Sequence, residues 1–240
     1  MSPSDLLNIG EELTYFIGSG IAAFGIYRAL IIGRAFLNRL YRSRAFWLAF
    51  LLLIVTVLNL SSYVPQLNGN GFSINEGLFL LSFFVIYVFV DRNLLITMQV
   101  DFFHRNTLHW TVFRWIGYAA LILSSIGLAL VSAFANAGSS SAPLYVNIIL
   151  ANYFVILAVV LGYSSVALVI GARRTPDRTI RGFVRYLGIA LALAVISATI
   201  WIIPFVGNFI SAVFAASASY GLYLCVMALS PIGKVEKLEA

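Results

Sequence analysis

The feature that most constrains this chain is a succession of long apolar segments separated by short polar connections. A helix of about 20 apolar residues crosses the hydrocarbon core of a membrane, which is about 30 Å thick. Seven segments reach this length, near residues 13–33, 46–64, 77–100, 113–135, 145–171, 183–204 and 205–229. We therefore predict an all-α polytopic membrane protein, folded as one compact seven-helix transmembrane bundle over residues 1–240 with no soluble domain.

The composition of the chain also indicates lipid as its solvent. Of the 240 residues, 61% are hydrophobic and 10% are charged, whereas a soluble domain is nearer half apolar and about a quarter charged. A water-soluble core of this size cannot hide so much apolar surface, so lipid must surround it. The net charge of +6 is therefore interpreted through its position along the chain, and we expect no nucleic-acid partner.

The basic residues occupy alternate connections and their edges. All fifteen are Arg28, Arg34, Arg39, Arg42, Arg44, Arg92, Arg105, Arg114, Arg173, Arg174, Arg178, Arg181, Arg185, Lys234 and Lys237. The N-terminal arm and the connections after the second, fourth and sixth segments contain none. By the positive-inside rule, the N-terminus lies outside and the C-terminus in the cytoplasm of a multi-pass plasma-membrane protein. This orientation requires an odd number of spans, in agreement with seven.

The densest basic stretch is residues 173–185, RRTPDRTIRGFVR. Arginines on the cytoplasmic side set topology and contact anionic lipid headgroups, so the inner loops are expected to lie against the bilayer surface. Docking of an acidic cytoplasmic partner is the alternative for this loop.

The last two segments are the hardest to separate, because Pro204, Gly207 and Asn208 are the only breaker signals between them. Two spans joined by a tight turn fit the combined length of residues 183–229, and a single re-entrant hairpin is the alternative.

Small residues predict how the helices pack. The first segment carries a continuous stripe of them, namely Gly18, Ala22, Gly25, Ala29 and Gly33. In lipid, helices associate through the close backbone approach that small residues permit. The last segment is small on several faces, so we expect it at the centre of the bundle.

Asp91 and Arg92 interrupt the third apolar segment, roughly 13 Å from its inner end at about 1.5 Å per residue. Ionisable groups inside spans are costly and usually face a bundle interior or a watery cavity. Gln99 can share a helix face with the pair, and Tyr87 lies one turn above Asp91. The functional interpretation is a polar switch or a proton or ion relay. The structural alternative is an interhelical ion pair, for instance between Asp91 and Arg28.

A second alternative shortens the third segment so that it ends near Arg92. The following residues, LLITMQVDFFHR, would then form an amphipathic cytoplasmic extension.

The residues after the third segment predict a cytoplasmic connector at the headgroup level. They include Asp101, His104, Arg105 and His109. Asp101 and His104 can share a helix face, but His109 need not, so the pattern is a weak metal signal and we expect no metal site. Neighbouring aromatic residues would touch lipid while Arg105 meets anionic headgroups.

Polar residues in the outer half of the predicted bundle define a candidate ligand cavity. Its lining would include Asn59, Asn152, Tyr153, Thr199 and Trp201. Interhelical hydrogen bonding explains polar residues in spans equally well.

Catalytic motifs are missing from the sequence. There is no HExxH, no pair of carboxylates within one segment and no glycine-rich phosphate loop. We therefore expect no enzyme, with an intramembrane enzyme using Asp91 as its base as the alternative.

Two short stretches resemble parts of known seven-helix families. Residues 217–222, SASYGL, resemble the retinal-binding region of microbial rhodopsins, with Ser219 in place of the Schiff-base lysine. Residues 91–96, DRNLLI, are similar to the Asp-Arg-Tyr region of G-protein-coupled receptors. Both lysines lie in the C-terminal tail, so covalent retinal is excluded and no cofactor is expected. Each match covers fewer than ten residues and implies shared topology, not membership.

These observations favour a heptahelical sensor or receptor-like protein. It would take a ligand in the outer half and transmit a change to the basic inner loops through Asp91 and Arg92. A small ion or solute transporter or channel using Asp91 is one alternative, and a structural subunit of a membrane complex is another. A membrane or cytoplasmic protein partner and a homo-oligomer are both compatible with this prediction.

Overall fold

The computed structural model describes residues 3–61, 161–173, 175–200 and 207–238, together with isolated residues 88, 115, 116, 118, 119, 122, 158 and 159. These residues form α1 (Pro3–Ala35), α2 (Arg39–Ser61), α3 (Leu161–Arg173), α4 (Arg178–Ile200) and α5 (Gly207–Leu238). No strand occurs in this described part, so the all-α class is confirmed there.

The chain divides into two compact units. One comprises Met1–Leu60 with Gly162–Ala240, and the other comprises Ser61–Leu161. The helices named above belong almost entirely to the first unit, and the architecture that follows is that of this unit.

Among the described residues, three helical stretches are long and apolar enough to cross a membrane, namely Asp5–Ala35, Arg178–Ser197 and Asn208–Ser230. They coincide with the first, sixth and seventh predicted segments and support a membrane protein. The predicted segments 77–100 and 113–135, and the outer part of 145–171, lie outside the described residues except at isolated positions. The number of seven spans therefore stays a prediction.

The helices extend past the apolar segments at their polar ends. The predicted first segment begins at residue 13, but α1 begins at Pro3; the predicted last segment ends at residue 229, but α5 ends at Leu238. Hydropathy marks where a chain meets lipid, whereas a helix ends where its backbone groups find other partners. Between the sixth and seventh segments, α4 and α5 are separate helices, each long and apolar enough to span.

Helices α1 and α5 pack against each other and run in the same direction. The paired positions increase together along both chains: Gly10 with Phe209, Gly18 with Ala216, Phe24 with Tyr223 and Arg28 with Met227. Helix α5 also packs against α4, and the predicted central position of α5 in a seven-helix bundle stays a prediction.

The other neighbours of α1 and α5 run antiparallel to them. Helix α2 meets α1 at Gly18–Asn59, Gly25–Leu52 and Gly33–Ala45. Helix α4 meets α5 at Ser197–Ser211, Ala190–Gly221 and Phe183–Cys225. Helix α3 leads through a short connection into α4 and contacts it at Ser165–Gly188.

The stripe of small residues on α1 lies in these contacts. All five of its residues, Gly18, Ala22, Gly25, Ala29 and Gly33, are buried. A Cβ atom on Gly25 would lie 2.9 Å from Cδ1 of Leu52, closer than carbon atoms tolerate. The opposite face of α1 exposes large apolar side chains such as Phe16 and Ile17, as a lipid-facing surface requires.

Candidate functional site

One end of the first unit gathers the basic ends of four helices. Arg44 of α2 lies over the ring of Phe183 in α4, and the Phe183 carbonyl accepts a hydrogen bond from the Cys225 thiol of α5 at 3.7 Å. Met227 of α5 contacts Arg28 of α1, and α1 packs against α2 where Gly33 lies beside Ala45. Arg28 and Arg44 therefore lie at the same end of the unit, where α1, α2, α4 and α5 contact one another in turn.

Arg44 is a buried cation held by aromatic rings. It is only 6% exposed, and its Cζ atom lies 5.6 Å from the centroid of the Tyr41 ring and 5.9 Å from that of Phe183. Both distances fall within the range of cation–π attraction. Burial lowers the pKa of the Arg44 guanidinium from its ordinary value, and Tyr41 opposes that shift. The Nε atom of Arg44 is buried and has no hydrogen-bond partner among the residues that the structure describes.

Arg28 lies deeper in the same end of the unit and is half-buried. Its Nη2 donates to the Met227 sulfur at 3.9 Å, and its Nε is buried without a hydrogen-bond partner in the described part of the chain. A thioether is a weak acceptor, so the guanidinium of Arg28 is poorly satisfied. The sequence names Arg28 as a candidate partner of Asp91, which lies outside the described residues.

The connection between α3 and α4 is stabilised by hydrogen bonds between its own side chains and backbone groups. Oδ1 of Asp177 accepts hydrogen bonds from the backbone N–H groups of Thr179, at 2.7 Å, and Ile180, at 3.3 Å. Arg181 donates through Nε to the Thr175 carbonyl at 2.8 Å and through Nη2 to the Pro176 carbonyl at 3.1 Å. Within the predicted basic stretch 173–185, Arg181 therefore stabilises the loop although its side chain is exposed. Arg173, Arg178 and Arg185 are exposed as well.

Two residues of the predicted outer cavity are described, and they have different surroundings. Asn59 is buried, and its Nδ2 would lie 3.1 Å from a Cβ atom on Gly18, where α1, α2 and α5 meet. Thr199 is exposed, and its hydroxyl donates to carbonyls of its own helix at Val195, 3.1 Å, and Ile196, 2.9 Å.

The remaining predicted site residues lie outside the described part of the chain. They are Tyr87, Asp91, Arg92, Gln99, Asp101, His104, Arg105, His109, Asn152, Tyr153 and Trp201. Their roles stay predictions from the sequence.

Two serines form a polar clasp that the sequence did not single out as a pair. The Ser197 hydroxyl donates to the Ser211 carbonyl at 2.9 Å, and the Ser211 hydroxyl donates to the Ser197 carbonyl at 2.9 Å. The two hydroxyl oxygens lie 3.0 Å apart. Each serine is visible in the sequence as a small polar residue in an apolar segment, but their pairing depends on the packing of α4 on α5.

The burial of Arg44 was also missed, because the sequence counts it among the loop charges. The spacing Tyr41-x-x-Arg44 was the available signal, since residues three apart share a helix face.

Other candidate chemistry lies elsewhere in the described part. Ser219, at the position compared with the retinal lysine, is fully buried and donates to the Ala215 carbonyl at 3.1 Å. No group of three or more His, Cys, Asp or Glu side chains that could hold a metal occurs among the described residues. No protein-family model matches the chain, and neither the curated proteins nor the solved structures give a match.

Proposed function

We propose that the chain is a seven-helix plasma-membrane protein with its N-terminus outside and its C-terminus in the cytoplasm. The support is the direction of the described helices. Because α1 and α5 run parallel, an odd number of crossings from α1 to α5 fits the described helices.

The central segments fit the same count. Arg44 lies near the start of α2 and Phe183 near the start of α4, and the two side chains touch, so both helices start at the basic end. The C-terminus of α3 also lies at the basic end of the unit, since a short connection joins it to the start of α4. An even number of crossings between α2 and α3 fits these directions, and the predicted segments 77–100 and 113–135 would supply two.

The exposed arginines of this end support its cytoplasmic orientation. They include Arg34, Arg39, Arg42, Arg173 and Arg185. Lys and Arg are retained on the cytoplasmic side of membrane proteins.

For activity, we propose a sensor or receptor-like protein in which a ligand in the outer half changes the basic inner loops. The coupling would run through the intramembrane charges Asp91, Arg92 and Arg28. The observation that carries this proposal is the state of Arg28, whose Nε has no hydrogen-bond partner and whose Nη2 meets only a thioether in the described part. A cation inside a span is costly, and Arg28 has few hydrogen bonds to break. A change in the surrounding charge would therefore shift the position of its side chain at little energetic cost.

The test measures coupling without requiring the ligand. Full-length protein in lipid nanodiscs is compared by backbone hydrogen exchange as wild type, Asp91→Asn, Arg28→Gln and the double variant. We expect each single variant to change exchange in residues 175–181 by about fivefold or more, the range of typical coupling energies. The double variant should lie closer to wild type, because it removes both charges together.

Arg185→Gln is the matched control, since it removes one exposed arginine at the same end. Unchanged exchange in residues 175–181 of a folded Asp91→Asn protein would contradict the sensor proposal. Ion or proton flux in vesicles that is lost in Asp91→Asn would identify a transporter instead.

A further inference from the structure

We propose that Arg44 binds the phosphate of an anionic phospholipid at the basic end of the first unit. This proposal rests on the membrane location proposed above, but it does not depend on the sensor role. It begins from the contacts of the Arg44 side chain, which is 6% exposed and has its Cζ within 6 Å of two ring centroids, at 5.6 Å and 5.9 Å.

The aromatic contacts stabilise the charge of Arg44 but give its Nε atom no hydrogen-bond acceptor. A guanidinium has five N–H donors in one plane, and a ring facing the cation supplies no oxygen lone pair for them. Consistent with this, the buried Nε of Arg44 has no hydrogen-bond partner within the described ranges. A planar donor group of this kind is matched by an anion with two oxygens, either a carboxylate or a phosphate.

The carboxylates whose side chains the structure describes do not meet this need. Asp5, Glu11 and Glu12 lie near the N-terminus of α1, at the opposite end of the unit from Arg44. Asp177 uses its Oδ1 on the first turn of α4.

The position of Arg44 is that of a lipid headgroup. It lies two residues before Phe46, where the predicted second span begins, and next to Tyr41 and half-buried Trp47. Aromatic residues of this kind mark the membrane–water interface. Exposed arginines at the same end, Arg39 and Arg42 among them, add the positive potential that attracts anionic lipids.

The experiment uses the full-length protein in detergent with defined lipids, and native mass spectrometry counts the lipids retained. Phosphatidylglycerol and phosphatidylcholine are titrated against wild type, Arg44→Gln, Arg44→Lys and Arg185→Gln. We expect Arg44→Gln to weaken retention of phosphatidylglycerol roughly tenfold or more, as loss of a charge-assisted bidentate contact predicts. Phosphatidylcholine retention should change little.

Arg185→Gln is the control for diffuse electrostatics, because it removes an exposed charge from the same end. Arg44→Lys keeps the charge but loses the planar fork, so it should weaken selectivity for phosphatidylglycerol even if Arg44→Gln fails to fold. Equal losses in Arg44→Gln and Arg185→Gln, or full selectivity in Arg44→Lys, would overturn the proposal.

Inorganic phosphate forms a separate arm of the experiment. If it displaces phosphatidylglycerol from wild type completely, the site takes free anions and the lipid assignment is wrong; the proposal expects the acyl chains to keep the lipid bound. Lipid retention in detergent does not depend on orientation in a cell or on Asp91. Its failure is therefore distinguishable from failure of the sensor proposal, which is measured by exchange in residues 175–181.

Discussion

Gly188 and Gly20 occupy opposite kinds of position on their helices. A Cβ atom on Gly188 would lie 2.8 Å from Cγ2 of Val169 and 3.0 Å from the Ser165 carbonyl oxygen, whereas a Cβ atom on Gly20 would meet nothing within 4 Å. At the same crossing, the Ser165 hydroxyl donates to the Gly188 carbonyl at 2.7 Å. The absent side chain thus permits both the close approach of α3 to α4 and the hydrogen bond across it.

We therefore expect Gly188→Ala to destabilise the protein and Gly20→Ala to leave it unchanged or more stable. Forcing a methyl group into a packed contact costs about 1–3 kcal/mol, and replacing an unconstrained helical glycine by alanine contributes roughly 0.5–1 kcal/mol. Thermal unfolding of both variants in the same detergent measures the difference. Equal melting temperatures would show that the crossing at Gly188 yields without cost.

The start of α4 shows what decides the bounds of an element in this protein. The predicted segment begins at residue 183, where the chain becomes apolar, but the helix begins at Arg178 because Asp177 binds the first free N–H groups. A carboxylate at this position also interacts favourably with the helix dipole. Sequence alone located the apolar part of this helix well and missed its capped, water-facing turn.

Asp177→Ala should therefore fray the start of α4. Loss of an N-cap costs about 0.5–2 kcal/mol, and the backbone amides of residues 179–181 should exchange faster by a corresponding factor. The control is Arg178→Ala, which changes an exposed neighbour in the same turn. If the amides of both variants exchange alike, Asp177 does not act as the cap in solution.

The parallel course of α1 and α5 is a property of the whole first unit, because it fixes the relative directions of that unit's first and last helices. Their paired residues increase together from Gly10–Phe209 to Arg28–Met227. Charge alternation in the sequence independently predicts termini on opposite sides. The two arguments share no observation, and both favour an odd number of crossings.

Cysteine labelling in intact cells tests this arrangement, starting from a Cys225→Ala background that removes the native thiol. We expect Asn8→Cys to react with a membrane-impermeant maleimide in intact cells, and Ser43→Cys and Ala240→Cys to react only after permeabilisation. Asn8 and Ser43 are exposed, so access depends on sidedness. Labelling of Asn8→Cys and Ala240→Cys from the same side would contradict an odd number of spans.

Some residues of the candidate site could be identified from the sequence, and others only from the structure. Sequence named Arg28 and Asn59 because a cation or an amide in an apolar segment is conspicuous. It counted Arg44 as a loop charge, since nothing local shows that Phe183 of a distant helix covers it. The charges of the predicted third span lie outside the described residues, so their part in the site still rests on sequence.

The sequence by itself determined the solvent, the helical class, the alternation of charge and the small-residue face of α1. These properties depend on what each stretch of chain prefers, lipid or water, and on the period of a helix. Only the tertiary structure decided that α1 runs parallel to α5, that Ser197 clasps Ser211 and that Arg44 is buried between rings. Such contacts join residues far apart in the chain, and they form only when the helices pack against one another.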